Sequence, residues 1–250
     1  MNVTKVFAAA ASAAVVTLGS AFAAPVSFTD VDAQWVASQG NFSNVRFLNG
    51  NPNSVRMDWS TNVNPASDRS AYVFDTNVPA IPGGVVPPNT GPLLLGTFTH
   101  ENNELPLGST QWTDVTLNLV VDLVIDGNAF NDIDLSFNFN HNETPNNTPC
   151  QAAGATICPD IITVTNNNTL DSVFIVDGIA YTLSVLGLFD NAQGTGSPLM
   201  QFITEEEQAN TAYLFATLSA AEVPLPAAVW MMIAGLGGLG FASRSKKKAA

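Results

Sequence analysis

The sequence predicts a mainly β protein: an antiparallel β-sandwich or jelly-roll-like body between an N-terminal signal helix and a C-terminal transmembrane helix. Three observations predict it. Apolar residues alternate with polar ones on either side of two Asp-Gly pairs, at 126–127 and 177–178, the strongest local hairpin signal. The body is rich in Asn, Thr, Val, Phe and Asp, which serve strands and Asx turns and make poor long helices. Charge is segregated along the chain. Of 250 residues, 21 are acidic and 8 basic, for a net charge of −13. All the acids lie between residues 24 and 222, with only Arg46, Arg56 and Arg69 to oppose them, which makes that stretch −18. Such a surface repels phosphate backbones, so nucleic acid is excluded as a partner.

The N-terminal segment, residues 1–23, has the layout of a secretory signal peptide. Lys5 supplies the positive region, Val6 to Leu18 a short apolar one, and Ala21-Phe22-Ala23 a small-residue cleavage site. Cleavage is expected between Ala23 and Ala24. The apolar run is too short for a spanning anchor, which needs about 20 residues. The expected partners are therefore the secretion machinery and signal peptidase.

Residues 24–222 form the acidic ectodomain, 199 residues and enough for one sandwich with a real core. Short strands are expected at Asn44–Leu48, Ser54–Trp59, Ala71–Phe74 and Leu93–Phe98. Val78 to Pro92, with five prolines and three glycines, reads as a surface loop within the domain. Val115, Leu117, Leu119, Val121 and Leu123 share one face of the next strand. Across the first Asp-Gly turn, Ile133, Leu135, Phe137 and Phe139 share a face of its partner. Ile161–Thr165 is followed by the second hairpin, Val173–Val176 with Ile179–Val185, and by Tyr213–Leu218. Thr204 before Glu205-Glu206-Glu207 fits an N-cap with acids in the first turn of a short helix, with the carboxylates solvated.

Cys150 and Cys158 are the only cysteines. In an exported chain they most simply pair as a disulfide, which would contribute roughly 2–3 kcal/mol by loop entropy. Their spacing does not suit a thiol nucleophile or metal ligand.

The two histidines share a context. His100 lies in Thr99-His100-Glu101-Asn102, and His141 in His141-Asn142-Glu143-Thr144. Three readings stay open. The His and Asn side chains can cap backbone groups where strands end. His100, Glu101, His141 and Glu143 can converge on a zinc-like divalent cation if their strands are neighbours. Catalysis is the third. Asp126-Gly127-Asn128 and Asp132-Ile133-Asp134 offer oxygens of the kind calcium takes. No cofactor is otherwise implied. Enzyme motifs such as Gly-x-Ser-x-Gly, His-Glu-x-x-His and the phosphate loop are absent, so the protein reads as a non-enzyme. Trp35, Trp59 and Trp112 can stack on sugars, although aromatics in strands more often pack a core.

Residues 223–250 form the tail. No charge occurs from Val223 to Ser243. Pro224 and Pro226 precede an apolar, glycine-rich segment at 227–242, and Arg244, Lys246, Lys247 and Lys248 follow within residues 244–248. The segment is about 24 Å long as a helix, slightly short for a span but usable. The basic cluster favours a cytoplasmic C-terminus, with the body outside the inner membrane.

Val223-Pro224-Leu225-Pro226, the apolar helix and the Arg-Ser-Lys-Lys-Lys tail resemble a PEP-CTERM sorting domain, with Leu225 where the prototype has Glu. Thr99-His100-Glu101-Asn102, the His141-Asn142-Glu143-Thr144-Pro145-Asn146 segment and Cys150…Cys158-Pro159-Asp160 resemble the THxN family of such proteins. The resemblance implies a Gram-negative bacterium that makes exopolysaccharide. It also implies transient anchoring in the inner membrane, processing by exosortase near the Pro-x-Pro motif, and delivery to the cell surface or extracellular matrix, where exopolysaccharide is a candidate partner. It carries no established catalytic activity. The expected function is that of an exported, non-enzymatic surface or matrix protein. The alternatives are a carbohydrate- or metal-binding module and, behind them, a polysaccharide-acting hydrolase.

Overall fold

A computed structural model of the chain describes residues 23–40, 44–60, 69–77, 85–103, 113–144, 158–165 and 172–223, with 231 and 234. The described body is mainly β and antiparallel. One sheet holds six strands and the other seven. The first has the order β12 (Gln201–Thr204), β9 (Asp160–Val164), β8 (Asn128–Asn142), β7 (Thr113–Ile125), β1 (Val26–Gly40), β5 (Val85–Val86). The second has the order β10 (Ser172–Val176), β11 (Ile179–Phe189), β13 (Gln208–Glu222), β6 (Pro92–Asn102), β4 (Ser70–Thr76), β3 (Ser54–Trp59), β2 (Arg46–Leu48). Inward side chains of both sheets share one core. Trp35 of β1 lies against Tyr72 of β4 and Phe98 of β6.

Local chemistry explains the strands that the sequence marks. In β7 the odd residues from Thr113 to Ile125 are buried and the even ones between them are not, the period of a strand with one face on a core. The β7–β8 and β10–β11 hairpins both turn on Asp-Gly, where all four turn residues have positive φ (48° and 77°, 49° and 79°). That is the backbone a two-residue primed turn requires, and glycine adopts it at no steric cost.

Two strands and one turn depart from the expectation. β1 is long, yet its sequence alternation is broken. Val26 and Phe28 face inward, then Val31, Ala33 and Trp35 do, because a register shift at Phe28/Asp30 inserts one residue. A bulge exchanges the two faces and erases a continuous pattern. Within the predicted 78–92 loop, Val85 and Val86 instead add a short strand to the edge of β1, with Val86 fully buried. The predicted helix after Thr204 is also corrected. Residues 205–207 form the tight β12–β13 turn, with Glu207 at φ 55° and Asn210 Oδ1 accepting from the Glu205 amide. Both flanking runs are strands, so no helix has room to form there.

Candidate functional site

One end of the sandwich gathers the polar groups. β6 alternates to its end: Phe98, His100 and Asn102 point inward, Thr99 and Glu101 outward. β8 presents Phe137, Phe139 and His141 inward, and Glu143 and Thr144 follow it, also buried. The two strands lie in different sheets, so the histidines meet across the sandwich. Their ring centroids are 5.4 Å apart, with the planes at 88°. Asp160 opens β9, Thr204 closes β12, and Glu206 in the turn after it is folded in at 4% exposure.

Each imidazole is held by its Nδ1. His100 Nδ1 lies 2.8 Å from Thr204 Oγ1, and His141 Nδ1 is bonded to the Tyr72 hydroxyl. The Nε2 of His141 therefore looks toward the carboxylates. His141 Nε2 is 3.3 Å from Glu143 Oε2 and 3.8 Å from Asp160 Oδ2. The Thr144 amide donates to Asp160 Oδ1 at 2.8 Å, which fixes that carboxylate and leaves Oδ2 facing His141. Thr144 Oγ1 in turn donates to the Cys158 and Pro159 carbonyls, at 3.1 and 2.8 Å. Asn102 Nδ2 donates to the Thr204 carbonyl at 3.0 Å, tying β6 to β12. Trp59 stacks on His100 with ring centroids 5.7 Å apart.

Burial dominates the electrostatics. It pushes the His141 imidazole down to about 4, with Asp160 pulling the other way. It holds His100 well below the ordinary value, reinforced by His141. Both rings are neutral at pH 7, so the close approaches of His141 to Glu143 and Asp160 are not ion pairs. Burial raises Glu143 to about 7, with the nearby Trp59 indole opposing. Asp160 rises to about 8, again chiefly by burial; His141 opposes this and Glu143 adds to it. Ionised carboxylates cannot share a dry space without a proton or a cation.

Two groups of side chains here can hold an ion: His100, His141 and Asp160, and Glu143, Asp160 and Glu206. Within each, one ligand atom per residue lies within 4.8 Å of the others. Asp160 belongs to both. The expected set is thereby corrected. His100, His141 and Glu143 converge, whereas Glu101 does not. Its side chain is on the opposite face of β6, paired with Arg56 at 2.7 Å. Thr99, also outward, is 3.5 Å from Thr211 on the neighbouring strand. Both imidazoles are fully buried between the sheets and meet side-chain hydroxyls, while Asn102 caps the Thr204 carbonyl. Asp126, Asp132 and Asp134 stay exposed on the β7–β8 hairpin, outside either group. Glu206, expected in solvent, is inside, as are Trp35 and Trp59. Those two tryptophans are therefore removed from any sugar-stacking platform, and Trp112 lies outside the described residues. Cys158 is buried and disulfide-bonded; Cys150 lies outside the described residues.

The remaining sequence expectations concern the ends. The signal segment before Ala23 and the motif residues Pro224, Leu225 and Pro226 lie outside the described residues, as does the basic cluster. So does the 227–242 segment, apart from Met231 and Ala234. No helix among the described residues is long and apolar enough to cross a membrane. No family model and no curated protein matches the chain.

Proposed function

We propose that the chain is an exported, non-enzymatic surface or extracellular-matrix protein, anchored briefly in the inner membrane by residues 227–242 and released by exosortase near Val223-Pro224-Leu225-Pro226. The observation that carries the non-enzymatic half is closure of the histidine–carboxylate chamber. His100, His141 and Asp160 have 0% exposure, and Glu143 and Glu206 4% each. Catalytic groups must touch substrate, and among the described residues none of these side chains is open to one. Its buried tryptophans also weigh against the carbohydrate-binding alternative.

The ends of the folded body support the export half. Ala24, the first residue after the expected signal cleavage, packs against the core and donates its backbone N–H to the Tyr181 hydroxyl at 2.6 Å. At the other end, the Val223 amide bonds the Gly178 carbonyl at 2.9 Å, immediately before the proline motif. The body is thus pinned at both points where processing would cut it free. The acidity of residues 24–222 suits a soluble protein among hydrated polymers and divalent cations.

The test follows a tagged body in host cells with and without exosortase. The expected result is membrane retention without the enzyme and release to the surface or medium with it. Equal release in both strains sinks the sorting reading. Turnover of the host's own polysaccharide by the purified chain would sink the non-enzymatic one.

A further inference from the structure

We propose that His100, His141 and Asp160 hold a divalent transition-metal ion of the zinc class that closes this end of the sandwich. The cluster is more than a group of acids. His100 Nε2 and Asp160 Oδ2 are buried and have no hydrogen-bond partner. A buried polar atom left in that state is costly, so such atoms are rare without a ligand. Both residues belong to the group in which one ligand atom per residue lies within 4.8 Å of the others.

The tautomers suit a metal. A neutral imidazole that ligates through Nε2 carries its proton on Nδ1. In both rings Nδ1 faces a hydroxyl oxygen, Thr204 Oγ1 for His100 and Tyr72 Oη for His141, and each can accept that proton. This is the outer-shell arrangement that orients metal-binding histidines. The distances allow it. A point between three atoms at most 4.8 Å apart is no more than about 2.8 Å from each, so contraction of under about 1 Å reaches bonding distance of about 2.0–2.2 Å.

Charge agrees. Glu143, Asp160 and Glu206 are all buried, and among the described residues no arginine makes an ion pair with Glu143 or Asp160. All three arginines of the body pair instead with Asp58. Two imidazoles select against calcium, which prefers oxygen ligands throughout. Ligands at 0% exposure, with Glu143 Oε2 3.3 Å from His141 Nε2, describe a structural ion rather than one open to substrate. The ion would bridge β6 of one sheet to β8 and β9 of the other.

The test uses the full-length chain, exported in a host grown with zinc and purified in detergent. Metal content is measured by elemental mass spectrometry. Melting is followed with and without chelator, and cobalt(II) is added to the stripped chain. The proposal expects close to one ion per chain, a lower melting temperature with chelator that zinc restores, and a visible absorption band with cobalt(II). Tyr72→Phe keeps the ring and should weaken zinc about 10–100-fold. Asp160→Asn should lose the ion, and Glu101→Gln, on the opposite face of β6, should keep it. If Asp160→Asn does not fold, the cobalt spectrum of the unmutated chain decides. Less than a tenth of an ion per chain, no cobalt band and no chelator shift would together overturn the proposal. The carboxylates would then be neutralised by protons alone.

Discussion

Asp58 and Asp160 are both fully enclosed aspartates, with 1% and 0% exposure, yet the fold treats them oppositely. Asp58 sits where the body's only three bases converge. Arg46 grips it with Nε and Nη2 at 2.8 and 2.7 Å, Arg69 Nε donates at 2.7 Å, and Arg56 lies 3.5 Å away. Burial alone would raise its carboxyl, but the hydrogen bonds and charges of Arg46 and Arg69 hold it below the ordinary value. Asp160 lies deeper, among neutral imidazoles and further carboxylates, and its carboxyl rises. Desolvation has one sign at both places, and the partners decide the outcome. All three arginines reach Asp58, and Arg56 also pairs with Glu101, while among the described residues none pairs with Asp160 or Glu143.

The same substitution at the two sites should separate them most. Asp58→Asn leaves three guanidiniums around a neutral amide, one of them, Arg69, only 6% exposed. Removing one partner of a buried pair is strongly destabilising, here about 3 kcal/mol in urea unfolding. Asp160→Asn in chelated protein replaces a carboxyl that the folded state already holds protonated, and should cost under about 1 kcal/mol at pH 7. Equal losses at the two sites would break the comparison.

The pH dependence should also differ in sign. The folded carboxyl of Asp58 is depressed, so its contribution is present above the unfolded value of 3.8 and is lost as pH falls through the lower folded one. Asp160 and Glu143 are raised, from 3.8 to about 8 and from 4.5 to about 7. Folded, chelated protein therefore binds extra protons, and its stability falls as pH rises toward those values. His141, depressed from 6.5 to about 4, works the other way below 6.5, so pH 6.5–8 is the clean window. Across it, urea titration of the chelated chain should show a loss on the order of 1–2 kcal/mol. Zinc should remove that slope, because metal ligands must be deprotonated and affinity rises with pH.

Legibility in the sequence followed how local each determinant is. The Asp-Gly hairpins and the β7 alternation are set by neighbouring residues and could be read. β1 could not, because its bulge changes the inward phase between Phe28 and Val31. The turn at 205–207 carries a helix-start signature that the adjoining strand pairing overrides. The two histidines were recognisable as a pair. Their partners Asp160 and Glu206 were not, since they arrive from β9 and from the turn after β12, and cross-sheet contact depends on topology that one sequence does not print. Tyr72 and Thr204, which hold the rings, carry no local signal at all.

Glu101 is the exception, because the sequence contained the rule that excludes it. In a strand, neighbours point to opposite faces. If His100 faces inward then Asn102 does too, while Thr99 and Glu101 cannot. Thr-His-x-Asn is thus a two-faced motif, with His and Asn for the chamber and the other two positions for the outer surface. The smallest expected effect follows from that geometry. Glu101→Gln removes an ion pair whose side chains are 38% and 28% exposed. Solvent screens such a pair, so the cost should be about 0–1 kcal/mol. His100→Gln, one residue away, disturbs the Trp59 stack and the Thr204 contact inside the chamber, and should destabilise the metal-loaded chain by more than Glu101→Gln does. Urea unfolding of both variants measures the difference between the two faces of one strand. A Glu101→Gln loss as large as that of His100→Gln would mean that adjacency in sequence, rather than the side of the sheet, sets each residue's role.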